Sequence, residues 1–160
     1  MQRHGHDRIE LERFLPYRLS VLTNVVSSAI AGAYQRRFGL TIPEWRVMAV
    51  LARHPGLSAA EVAAHTRMDA VAVSRAVTRL LRAGRVRRSI SAADRRRSVL
   101  RLSPAGSTVY REIAPLALRY ERELLGGFGR EELELLDKVL EKLTVRAQSL
   151  AVEPVERPRS

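Results

Sequence analysis

Residues 69–102 read DAVAVSRAVTRLLRAGRVRRSISAADRRRSVLRL, and the fold turns on how this stretch divides. Asp69 is a side chain that caps a helix start, and Gly84 can end one in the left-handed conformation, so the residues between them form a helix. On that helix Val73, Val77, Leu80 and Leu81 share one face, while Val71, Ser74, Arg75, Thr78 and Arg82 share the opposite one. The outward face mixes cations with small hydroxyls. That mixture suits a major groove, where arginine donates two bonds to guanine and Ser or Thr bonds to bases or phosphates. Beyond Gly84, residues 85–90 and 98–102 carry Val86, Ile90, Val99, Leu100 and Leu102 and read as two short strands. They are joined through Ser91-Ala92-Ala93-Asp94-Arg95-Arg96-Arg97. A hairpin this basic at its tip is a wing. A wing-tip arginine suits the strongly negative minor groove, with Asp94 holding neighbouring guanidiniums by a charge-assisted bond.

Working upstream, Ser58 and Glu61 form a reciprocal cap that opens a short, alanine-rich helix through His65, with Val62 facing inward. The turn over residues 66–69 links it to the helix already described. Two short helices so joined are a helix-turn-helix. Before them, Thr41-Ile42-Pro43-Glu44 repeats the capping pattern and starts a helix that runs to residue 53 and is ended by His54-Pro55-Gly56. An earlier helix carries Leu15, Leu19, Leu22, Val26, Ile30, Ala33 and Phe38 at steps of three to five residues and stops at Gly39.

Downstream, Ser103-Pro104 starts a long helix with Val109, Ile113, Leu116, Tyr120 and Leu124 on one side, and Pro115 is expected to kink it. Gly126-Gly127-Phe128-Gly129 breaks the chain. The last helix repeats Leu133, Leu136, Leu140, Leu143, Ala147 and Leu150 at alternating steps of three and four, a seam that wants a partner helix. The expected architecture is mainly α with a small β-wing. Residues 41–103 form a winged helix-turn-helix lobe, residues 10–38 and 104–150 a helical dimerisation region, and residues 1–9 and 153–160 are expected to be disordered.

Charge supports a nucleic-acid partner. The 160-residue chain carries a formal net charge of +11, and eleven arginines against Asp69 and Asp94 put +9 of it between residues 67 and 101. Such a patch concentrates polyanions, and double-stranded DNA is the expected partner. The longest apolar run is interrupted by polar residues, and the charged N-terminal stretch lacks a signal-peptide pattern, so no membrane span and a cytoplasmic location are expected. With no cysteine, disulfides and thiol redox switching are excluded. His4, His6, His54 and His65 lack ligand spacing, so neither metal nor cofactor is expected. There is no phosphate loop, paired-histidine motif or nucleophile elbow, so the chain is not expected to be an enzyme.

The order of elements and the local wording resemble the MarR family of bacterial regulators over about residues 14–150. The resemblance rests on Leu40-Thr41-Ile42-Pro43-Glu44-Trp45-Arg46-Val47, on Val73-Ser74-Arg75-Ala76-Val77-Thr78-Arg79-Leu80, on Gly84, and above all on Asp94-Arg95-Arg96-Arg97 followed by Leu102-Ser103-Pro104-Ala105-Gly106. Arg85 departs from the family pattern, which has an apolar residue there. The resemblance implies a triangular homodimer joined by its first and last helices, including Leu15, Leu136, Leu140, Leu143 and Leu150, that acts as a repressor on a palindrome with half-sites about 10 base pairs apart. It places Arg96 in the minor groove with Asp94 orienting it and Arg95 and Arg97 beside it. It puts Ser74, Arg75, Thr78 and Arg79 in or beside the major groove, and Arg82 and the N–H groups after Ser58 near phosphates. It also implies a small-molecule effector, a phenolic or aromatic acid or its thioester, in a pocket to which Tyr17, Arg18, Asn24, Trp45, Arg46 and Tyr110 contribute. Two other readings remain open: a non-specific architectural DNA-binding protein, and an adaptor that keeps the fold without binding DNA.

Overall fold

A computed structural model of the chain describes residues 9–91 and 96–152. The elements are α1 (Leu15–Phe38), α2 (Ile42–Arg53), α3 (Ala59–Thr66), α4 (Ala70–Arg82), β1 (Val86–Ile90), β2 (Ser98–Leu102), α5 (Pro104–Leu125) and α6 (Arg130–Val152). The mainly helical fold with one small antiparallel sheet is the one expected. Of the residues expected to be disordered, 1–9 and 153–160, all but residue 9 lie outside the described residues, as does the wing tip at residues 92–95.

Local chemistry sets the starts of α2, α3 and α4. Thr41 Oγ1 accepts from the Glu44 N–H at 3.4 Å while Glu44 Oε2 accepts from the Thr41 N–H at 3.0 Å, and Ser58 with Glu61 repeats the arrangement on α3. Asp69 Oδ1 takes the Ala72 N–H at 2.8 Å and opens α4. The turn between α3 and α4 holds Arg67 at φ 54°, a left-handed conformation that costs an L-residue about 1–2 kcal/mol.

The chain divides into two compact units, Met1–Tyr120 and Glu121–Ser160. In the first, a buried core gathers Ala31 and Tyr34 of α1, Val47, Met48 and Leu51 of α2, Val62 of α3, Val73, Ala76, Val77 and Leu80 of α4, Val86, Leu100, and Ile113 of α5. The α1 face differs from the apolar stripe read in the sequence. Leu15, Leu19 and Leu22 are exposed, whereas Ala31 and Tyr34 are buried, because α1 packs on α2 only near its C-terminal end. Arg37 on α1 is bonded to Glu112 on α5. In the second unit α6 exposes Leu135, Leu136, Val139, Leu140, Val145 and Leu150. Pro115 stands inside α5, which runs unbroken through it.

The sheet pairs Val86 with Leu102 through Ile90 with Ser98. Leu57, between α2 and α3, adds a single bridge to Leu100. The N–H of Leu100 donates to Leu57 O at 2.8 Å, which ties the wing to the helix-turn-helix. The sheet is anchored to α5 by Ser103, whose buried hydroxyl donates to Gly84 O at 2.6 Å and accepts from the Gly106 N–H at 2.9 Å. Arg85, the departure from the family pattern, keeps its backbone in this junction: its N–H reaches Leu80 O and its carbonyl accepts from Ser103 N, both at 2.9 Å. Its guanidinium bonds to Phe38 O, so the long stem spans to the end of α1.

Candidate nucleic-acid interface

The buried and exposed faces of α4 separate as the periodicity requires. Val73, Ala76, Val77 and Leu80 are buried, and Val71, Ser74, Arg75, Thr78, Arg79 and Arg82 are exposed. Leu81, assigned to the inner face, is half-buried. The exposed row borders an open groove of about 580 Å3 whose other wall is Thr41, Pro43 and Glu44 at the start of α2. One wall is therefore cationic and hydroxyl-bearing, and the other presents the N-terminus of a helix, which favours anions.

The groove is not uniformly basic. Glu44 is 4% exposed, yet its Oε1 lies 3.7 Å from Arg79 Nη1. Arg79 thus stands on the outward face beside a buried carboxylate, while Arg75 and Arg82 line the same groove. On the wing, the Ser91 N–H donates to Arg97 O at 2.8 Å and closes the hairpin below its tip. Arg96 is exposed. Arg97 is bonded through its guanidinium to Glu61 on α3. Glu61 is held at a pKa of about 2, first by the Ser58 N–H, then by the Ser58 hydroxyl and Arg97. Ser58 itself is half-buried and occupied by this cap. The orienting role of Asp94 and the place of Arg95 lie outside the described residues.

The six residues expected to line an effector pocket fall into two groups. Tyr17 and Arg18 border a shallow apolar depression on α1 with Val21, Leu22 and Val25, while Asn24 on the same helix is exposed and absent from its lining. Trp45 stacks on Tyr110 with centroids 5.6 Å apart and lies 5.7 Å from Tyr34. Arg46 donates to Ser27 Oγ at 3.3 Å. Burial pushes the Tyr34 phenol above its usual pKa, and the charge of Arg46 acts against that shift. Tyr34 was not among the expected residues. It lies off the leucine stripe read along α1, and only the folded packing brings it to Trp45. The arginine partners Glu44 and Glu61 were legible only as helix caps.

A capped helix-turn-helix followed by a strand–wing–strand unit and framed by long helices defines a winged helix-turn-helix protein. The MarR family model matches residues 38–97. The chain is 29% identical over 104 residues to the transcriptional regulator HosA of Escherichia coli, covering 65% of this chain and 77% of that protein. It is 28% identical over 131 residues to the HTH-type transcriptional repressor Rv2887 of Mycobacterium tuberculosis, covering 81% and 91%. The crystal structure of a MarR/EmrR family transcriptional regulator from Acinetobacter sp. ADP1 superposes with a TM-score of 0.82 at 26% identity, covering 88% of this chain and 99% of that one. Over its helix-turn-helix and wing the chain is similar to the MarR family, and its fold is that of MarR-family winged-helix transcriptional regulators. No described helix is long and apolar enough to cross a membrane.

Proposed function

We propose that this regulator is a cytoplasmic repressor that binds a palindromic operator as a homodimer, α4 lying in the major groove and the wing reaching the minor groove. The observation that carries this reading is the α4 face, where Ser74, Arg75, Thr78 and Arg82 all stand exposed along one groove while the opposite face is buried. Arg75 is assigned to a base edge, Arg82 to phosphate and Arg96 to the minor groove. The dimer reading rests on exposed apolar residues within each unit: Leu15 at 44%, and Leu136, Leu140 and Leu150 at 39%, 44% and 60%, with Leu143 half-buried beside them. The test is selection of bound sequences from a random duplex pool. A palindrome with half-sites about one helical turn apart, favoured at least about a thousandfold over random duplex, supports the reading.

A small aromatic acid or its thioester is the effector class we assign. Trp45 and Tyr110 are half-buried aromatic side chains, and Arg46, close to the buried Tyr34, offers a guanidinium for a carboxylate. Titration of the protein–operator complex with such acids tests it. Release of the operator by one of them, lost in Arg46→Ala, is the expected result, and retention of operator against the whole class contradicts it. The architectural alternative is favoured by the basic wing alone. It predicts salt-sensitive binding with no enriched sequence.

A further inference from the structure

Glu61 stands at the third position of α3, where its carboxylate completes the cap on Ser58. One oxygen, Oε2, accepts from the Ser58 N–H at 2.7 Å, from the Ser58 hydroxyl at 2.8 Å and from Arg97 Nη2. Arg97 immediately precedes β2, and its own carbonyl closes the hairpin onto Ser91. The ion pair therefore joins the base of the wing to the first helix of the helix-turn-helix. We infer that Glu61 is a positioning residue for the wing and withholds the charge of Arg97 from the DNA phosphates. The inference rests on the DNA-binding reading above.

By sequence, Arg95, Arg96 and Arg97 are three equivalent cations, and the fold pairs Arg97 with Glu61. The salt slope counts the phosphates that protein cations neutralise. An arginine already bonded to a carboxylate adds little. Both side chains of the pair are 42% exposed, and such surface pairs contribute little to stability, so the consequence lies in how the wing meets DNA. Glu44 and Arg79 repeat the arrangement more loosely, at 3.7 Å, on the recognition helix.

The experiment is a set of salt titrations of the full chain on random duplex DNA, with Arg97→Gln, Glu61→Gln, the double variant and Arg82→Gln. Gln at position 61 keeps an oxygen for the Ser58 N–H, and thermal melts check that each variant folds. Arg97→Gln is expected to leave the slope of log affinity against log salt unchanged. Glu61→Gln frees Arg97, and is expected to steepen the slope by about one per protomer and to raise affinity several-fold at about 0.1 M salt. The double variant returns to the wild-type slope. Arg82→Gln, which removes a phosphate contact, lowers the slope by about one per protomer. A loss of slope in Arg97→Gln equal to that in Arg82→Gln, or no change in Glu61→Gln, overturns the inference while leaving the DNA-binding reading intact. No salt-dependent binding by any of the proteins removes that reading and the inference with it.

Discussion

The carbonyl oxygen of Arg85 lies so close to Gly106 that a Cβ added there would meet it at 1.9 Å. That approach lets the Ser103 hydroxyl bond to Gly84 O and the Gly106 N–H together, so the start of β1 and the first turn of α5 share one junction. Gly106→Ala forces the backbones apart and is expected to destabilise the fold by about 3 kcal/mol, read by chemical denaturation. A variant as stable as the wild type would contradict this account of the junction.

Arg67 makes the opposite case, since it holds a left-handed conformation at φ 54° with a side chain. Arg67→Gly relieves that cost but gains freedom in the unfolded chain. The net effect is a stabilisation of about 0.5 kcal/mol, seen as a melting temperature raised by one or two degrees without DNA. A lower melting temperature would mean that the arginine side chain holds the turn.

Acid titration separates Glu61 from an ordinary surface carboxylate. Its pKa falls from 4.5 to about 2 on folding, so the proton binds the unfolded chain more readily. The stabilisation is complete above about pH 4.5 and is lost as the pH falls through 2. The stability difference between wild type and Glu61→Gln should therefore stay constant from pH 8 to about 5.5 and shrink only below 4.5. A difference already shrinking between pH 7 and 6 would contradict the assignment.

On DNA, Arg75 and Arg82 should part company although they line one groove. Arg75→Ala is expected to cost about 1–3 kcal/mol on the operator and to relax preference at one base position, while Arg82→Ala weakens all sequences alike. Affinities on an operator and its single-base variants decide between them. Equal effects of both substitutions on every sequence would remove the base-reading role.

The elements legible from the sequence were those whose cause is local. Thr41 with Glu44, Ser58 with Glu61, and Asp69 each announce a helix start within four residues, and alternation of Val73, Val77 and Leu80 against Ser74, Arg75 and Thr78 fixes which face of α4 is outward. Contacts between distant positions were not legible. Nothing local says that Glu61 meets Arg97 or that Glu44 approaches Arg79, because a capping glutamate has the same spacing whether or not an arginine comes to it. The α1 stripe shows the same limit: periodicity identifies an apolar face, not the partner that covers it. Tyr34 is buried while Leu22 is exposed.

Salt-titrated selection from a random duplex pool tests sequence-specific recognition by a two-fold dimer. One enriched palindrome with half-sites about 10 base pairs apart, bound by the wild type and lost in a monomeric Leu140→Glu variant, is the predicted result. Salt-sensitive retention with no enriched sequence, or a monomer that binds the palindrome as well as the wild type, would contradict it.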